Sequence, residues 1–238
     1  MNHYLYFNSR LIQHVFKQAE KLNLGKDWIC YQLDLNHIDL ELFKSLKPPQ
    51  YMQHAVAQRQ LEFYSGRILT QAILAHHFNF YQPITSCVQR LPQWISPILG
   101  SISHSKQQVV VMVSCQVNYI GMDIEHWVSE ELLTDGQHLI LNQQDLNIWQ
   151  KAQSYFSFQQ FLTLVFSMKE SLYKAVYPQV QHYIDFLDAS LFEISFAEQR
   201  VKLKFSDHIQ KKYQLLDEYD GYWQVAPNHI MTWVSQLK

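Results

Sequence analysis

Glycine and proline are scarce, at six and seven among 238 residues, which argues against a loop-rich or low-complexity scaffold. The three cysteines, Cys30, Cys87 and Cys115, stand far apart with no C-x-x-C pairing. That pattern excludes a disulfide framework or a thiolate zinc site and fits a reducing compartment. A strong charge of one sign is also missing. The formal net charge of −2 gives no sweeping attraction to a nucleic-acid backbone, so no nucleic-acid partner is expected. No stretch approaches the roughly 18–20 apolar residues of a membrane span, and Met1 to Arg10 carries no basic-then-apolar leader. The expectation is a soluble, cytoplasmic protein. What the chain has in quantity is apolar: 47% hydrophobic residues, with 14 Tyr and 14 Phe, enough for one sizeable core or two smaller ones.

Three stretches organise the chain. From Gln53 to about Phe80, Val56, Gln60, Phe63, Ile68, Ala72 and Leu74 recur at near-helical spacing, which predicts a long amphipathic helix. Pro48-Pro49 and Pro83 mark its limits. From Leu99 to Trp127 the pattern is strand-like, with the β-branched run Val109–Val113, a turn near Gln116–Asn118, and alternation from Tyr119 to Glu125. Two neighbouring antiparallel strands are the simple reading. From Ser157 to Val176, Phe161, Leu164, Val165, Met168, Leu172 and Val176 share a helical face that ends before Pro178. Ala189–Ser195 and Arg200–Phe205 read as further strands, and Tyr222–Val225 and Thr232–Val234 as weaker ones. The order helix, strands, helix, strands indicates an α+β class in two comparable halves, 1–115 and 116–238.

Asp123 and Glu125 are two apart in the alternating strand, so both carboxylates leave one face while Met122 and Ile124 point into the core. Like charges about 7 Å apart beside an apolar face repel unless a cation joins them. Oxygen ligands with a partial protein cage suit Mg²⁺, which keeps waters and accepts substrate phosphates; the plain alternative is a solvated acidic edge strand. On the later helix Lys169, Glu170 and Lys174 cluster beside an apolar face. Glu170 and Lys174, four apart, form either an ordinary ion pair or one carboxylate of a metal site with a lysine facing phosphate. Ser101 to Ser105, including Ser103 and His104, could bond phosphate oxygens at a strand entrance or be turn residues around a structural histidine. Arg59 and Arg67, eight apart and offset by about 80°, can address one anion or be two solvated arginines.

Taken together these residues resemble the surfactin-synthetase-activating type of 4'-phosphopantetheinyl transferase, and within it the enterobactin-synthase branch. The family run is an arginine helix ending in G-R, then P-x-W, G-S-[IL]-[ST]-H, G-[IV]-D-[IVL]-E and [WF]-[SA]-x-K-E-x-x-x-K. It reads here as Arg59 through Gly66-Arg67, Pro92-Gln93-Trp94, Gly100-Ser101-Ile102-Ser103-His104, Gly121-Met122-Asp123-Ile124-Glu125, and Phe166-Ser167-Met168-Lys169-Glu170 with Lys174. Met122 replaces the usual Val or Ile, Phe166 the Trp of other branches, and Arg90, offset by one residue, stands in for a family lysine.

The resemblance implies a pseudo-twofold pair of α+β halves with coenzyme A in the cleft between them. It implies transfer of 4'-phosphopantetheine from coenzyme A to the serine of an apo carrier protein, by a monomeric enzyme. Asp123, Glu125 and Glu170 would hold Mg²⁺, and Glu170 would take the serine proton. Lys174 and Lys169 would contact the coenzyme phosphates, with Arg59, Arg67, Arg90, Ser103 and His104 holding the nucleotide. The branch points to siderophore synthesis. A magnesium phosphohydrolase would leave the Ser-His segment and the arginines unexplained. A non-catalytic coenzyme A-binding module would leave three acidic residues facing phosphate for no reason. The apolar segment from His126 to about Trp149 reads equally as a carrier docking surface or as core.

Overall fold

The computed structural model describes residues 7–82, 84 and 91–238. The chain divides into two compact units, Met1–Cys115 and Gln116–Lys238, each with its own sheet.

In the first unit, α1 (Ser9–Gln18) starts on Asn8, whose side chain accepts from the Leu11 amide, a standard N-cap. Strands β1 (Glu20–Leu22) and β2 (Ile29–Asp34) follow, then helix α2 (Ala57–Phe78), β3 (Leu99–Ser105) and β4 (Gln108–Ser114). The sheet order is β1-β2-β4-β3, antiparallel throughout. β4 is an inner strand buried from Val109 to Ser114, which is why it reads as an unbroken apolar run and not as an alternating one. Its valines 109, 111 and 113 pack with Leu11, Val15, Leu33, Ile68, Leu69 and Ile73. Helix α2 is less one-sided than its spacing predicts. Every residue from Tyr64 to Leu74 is buried, including Ser65, Arg67, Thr70 and Gln71. Thr70 satisfies its hydroxyl by donating to the Gly66 carbonyl.

In the second unit, β5 (Val117–His126) leads through a π-turn at Leu132–Gly136 into α3 (Gln137–Ile140) and α4 (Gln143–Ala152). Then come α5 (Phe158–Val180), β6 (Ala189–Ser195), β7 (Arg200–Phe205), α6 (Asp207–Tyr213), β8 (Tyr219–Val225) and β9 (His229–Leu237). The antiparallel order is β5-β9-β8-β7-β6. β4 and β5 therefore do not pair as the sequence suggested: β4 lies between β2 and β3, and β5 pairs with β9. Helix α5 opens on a reciprocal capping box between Ser157 and Gln160. It also runs past Pro178 to Val180, where Gln181 ends it at a φ of 52°; a proline in the final turn forfeits little of the helix. Its inner face, with Phe161, Leu164, Val165, Met168 and Leu172, packs on the sheet. Much of the apolar segment after β5 is core. Val128, Ile140, Leu141 and Ile148 are buried, whereas Leu139 stays exposed.

Candidate active site

Two groups of candidate residues are formed, one in each unit. In the second unit Asp123 projects from β5 towards α5. The strand and helix approach so closely at Gly121 that a Cβ there would sit 2.0 Å from the Ser171 carbonyl oxygen. The carboxylate face is thus the helix-packed face. Asp123 is only 2% exposed, and Met122 and Ile124 on the opposite face are fully buried as well. Asp123 Oδ1 receives the Lys174 ammonium at 2.6 Å, and Oδ2 accepts from Ser167 Oγ at 2.8 Å. Ser167, Glu170, Ser171 and Lys174 recur every three or four residues of α5, so one stripe of the helix carries them all.

Burial pushes the Glu170 carboxyl above the usual carboxylate range; the Lys174 ammonium pulls it back and the Asp123 charge pushes it further up. Glu125, two residues further along β5, is half-buried. Among the described residues no three His, Cys, Asp or Glu side chains are gathered into a metal cage. What is assembled is a pair of carboxylates with an ammonium against one of them, where a cation is already accepted. Hard oxygen donors of this kind fit Mg²⁺. Glu170 also lines a small pocket of about 40 Å³ with Lys169, Tyr173, Tyr183, Asp185 and Phe186.

Lys169 is placed differently from the expectation that it faces phosphate. It is 2% exposed, and its three donors are spent on Asp145 Oδ2 at 2.6 Å, the Ile140 carbonyl at 2.7 Å and the Phe186 carbonyl at 2.9 Å. Successive helix residues are turned by about 100°, so Lys169 enters the core beside α4 while Glu170 does not. Burial lowers its pKa, and Asp145 opposes that shift. Asp145 also accepts the Leu191 amide and caps α4. The pair holds α4, α5 and β6 together.

In the first unit, α2 and β3 bring Arg59 and His104 together. Arg59 Nη1 lies 3.0 Å from His104 Nδ1, and Glu62 reaches both, at 3.4 Å and 3.1 Å. Arg67 is two turns on, buried, with its guanidinium 5.3 Å from the Phe63 ring centroid. Ser103 lies on the other face of β3 from His104, because neighbours in a strand alternate, and it is buried there. Arg90 lies outside the described residues. Sequence reasoning missed Glu62, Asp145, Ser167, Ser171 and Thr232; the visible signal was the pair Ser167 and Ser171, four apart on an otherwise apolar helix face.

A family model described as the 4'-phosphopantetheinyl transferase N-terminal domain matches residues 47–114, and that of the 4'-phosphopantetheinyl transferase superfamily matches residues 119–233. The chain belongs to this superfamily, enzymes that transfer phosphopantetheine from coenzyme A to carrier proteins. It is similar to enterobactin synthase component D of Escherichia coli O157:H7, with 33% identity over 187 residues covering 77% of this chain and 82% of that protein. The same protein of Escherichia coli strain K12 gives 33% over 195 residues, at 77% and 82% coverage. That of Salmonella typhimurium gives 38% over 87 residues, at 37% and 36% coverage.

Proposed function

We propose that this enzyme loads carrier domains of a siderophore-producing nonribosomal peptide synthetase, working as a cytoplasmic monomer. The similarity to enterobactin synthase component D across most of both chains supports the pathway. Among the described residues no helix is long and apolar enough to cross a membrane.

Asp123, Glu125 and Glu170 would hold Mg²⁺. When bound, the ion would neutralise charge on the diphosphate of coenzyme A as the β-phosphate is attacked. The observation that carries this reading is the Lys174 ammonium seated on Asp123 beside the raised Glu170 carboxyl. Two carboxylates there are costly until a cation is shared between them. Glu170 takes the proton from the carrier serine hydroxyl. Lys174 turns from Asp123 to the diphosphate and stabilises the departing 3',5'-ADP. Arg59, with His104 beside it, holds a nucleotide phosphate by charge-assisted contacts, and Arg67 and Arg90 add to the same anion binding.

The test is mass spectrometry of apo carrier proteins mixed with this enzyme, coenzyme A and Mg²⁺. A mass gain of one phosphopantetheine on the peptidyl or aryl carrier, dependent on the metal and lost in Glu170→Gln, is expected. Modification of a fatty-acid carrier alone would overturn the siderophore assignment, and metal-independent transfer would overturn the Mg²⁺ site.

A further inference from the structure

Three hydroxyls behind Asp123 have no part in the roles above. Ser167 Oγ lies 2.8 Å from Asp123 Oδ2 and 2.9 Å from Thr232 Oγ1. Thr232 Oγ1 lies 2.7 Å from Ser171 Oγ, which also reaches the Thr232 carbonyl oxygen at 3.0 Å. Ser167, Ser171 and Thr232 are all at 0% exposure, so these hydroxyls satisfy one another. Thr232 belongs to β9 and is the register partner of Asp123 across the β5–β9 ladder. Two of the hydroxyls thus come from the helix and one from the strand beside the aspartate.

The direction of the two hydrogen bonds nearest Asp123 is determined. A hydroxyl has one proton to give, and an ionised carboxylate only accepts. The Ser167 proton is committed to Asp123 Oδ2. Ser167 must then accept from Thr232, while Ser171 offers its one proton to the Thr232 carbonyl oxygen and hydroxyl together. The two bonds from Thr232 through Ser167 both point towards Asp123, and bonds aligned in this way strengthen one another. Alanine and valine would fill the same volume without burying three polar groups. The arrangement makes sense when the carboxylate at its end must be held in one orientation.

We propose that Thr232 and Ser167, backed by Ser171, form a hydroxyl relay that positions Asp123 for metal binding, gripping Oδ2 from behind while Oδ1, which now takes the Lys174 ammonium, is the oxygen offered to the incoming cation. Ser167 and Thr232 are positioning residues in this scheme. Without them the carboxylate rotates about its own axis, and the metal meets a ligand that must first be ordered. The inference rests on the reading of Asp123 as a metal ligand. Loss of a hydrogen-bond partner behind a ligand costs about 10–100-fold in metal affinity. The loss should be graded along the relay: largest for Ser167→Ala, smaller for Thr232→Val, smallest for Ser171→Ala. Thr232→Ser, which keeps the hydroxyl, should bind like the wild type.

The experiment is titration of the full-length protein with Mn²⁺, following free metal by electron paramagnetic resonance, with a melting curve of each metal-free variant. The expected result is tight binding by wild type, its loss in Asp123→Asn, and dissociation constants raised about tenfold or more in Ser167→Ala and by less in Thr232→Val. The half-saturating Mg²⁺ for transfer should rise in parallel. If Asp123→Asn loses the metal while Ser167→Ala and Thr232→Val bind it like wild type, the relay is overturned and the metal site stands. Equal binding by wild type and Asp123→Asn overturns the metal site and the relay with it. Should Thr232→Val fail to fold, the comparison of Ser167→Ala with wild type still decides between these results.

Discussion

Gly121→Ala puts the closest strand–helix approach to the test. The added Cβ would meet the Ser171 carbonyl oxygen at 2.0 Å and the Ala175 nitrogen at 2.5 Å, both backbone atoms. No rotamer change can relieve a clash with backbone. Ordinary contact begins near 3.4 Å, so β5 and α5 must part by about 1.4 Å to regain it. Overpacking of this kind costs about 3 kcal/mol, the upper end of the usual range, because neither side can yield locally. The separation opens the very interface that holds Asp123 to Lys174 and Ser167. A misplacement of about 1 Å lowers turnover roughly 100-fold. Urea unfolding and single-turnover transfer to an apo carrier protein measure the two effects. A Gly121→Ala enzyme with the wild-type midpoint and wild-type turnover would refute the argument that this glycine sets the distance between the carboxylate and the lysine.

Asp145→Ala strands the Lys169 ammonium in the core and should cost about 3–5 kcal/mol in urea unfolding. The joint exchange Asp145→Leu with Lys169→Met should recover much of that loss and leave coenzyme affinity unchanged, as measured by calorimetry. Glu170 has a folded-state pKa raised above its unfolded value, so the native state binds the extra proton. The stabilising contribution of that proton is present below the unfolded pKa and fades as pH rises through the folded pKa. Glu170→Gln should therefore raise the melting temperature of the metal-free protein at neutral pH while abolishing transfer; melting curves in chelator between about pH 4 and 8 check the sign. Arg59→Ala should raise the KM for coenzyme A about 10-fold or more, as expected for a lost charge-assisted hydrogen bond, with the KM for the carrier unchanged in steady-state assays.

The elements with long periodic patterns were legible in the sequence: α2, α5, β6 and β7 lie where apolar spacing puts them. Pairing was not. Val109–Val113 and Tyr119–Glu125 each look like strands, but alternation identifies a strand without naming its partner, and adjacent strands in the chain need not pair. The chain leaves one sheet after Ser114 and enters the other at Val117. Asp123, Glu170 and Lys174 stand out in the sequence as charge on an apolar-patterned face, and the structure brings the three together. Lys169 was misread because adjacency in sequence says nothing of the 100° turn that sends it to Asp145. Ser101–Ser105 reads in sequence as the entrance to a strand but lies within β3, where alternation puts Ser103 and His104 on opposite faces. Thr232 gave no signal at all, since a hydroxyl in a β-branched strand is ordinary.

The stripe of α5 that carries Ser167, Glu170, Ser171 and Lys174 runs down the middle of the longest helix and lies against a sheet. Reactive groups in most enzymes sit on loops that loosen before the body of the protein does. Here Ser167, Lys174 and Asp123 are tied into the same contact that holds helix to strand, so their arrangement cannot come apart ahead of that contact. Heat disruption of this group of residues and loss of the second unit's fold should therefore coincide, leaving no window of temperature in which the second unit is intact but its chemistry already lost.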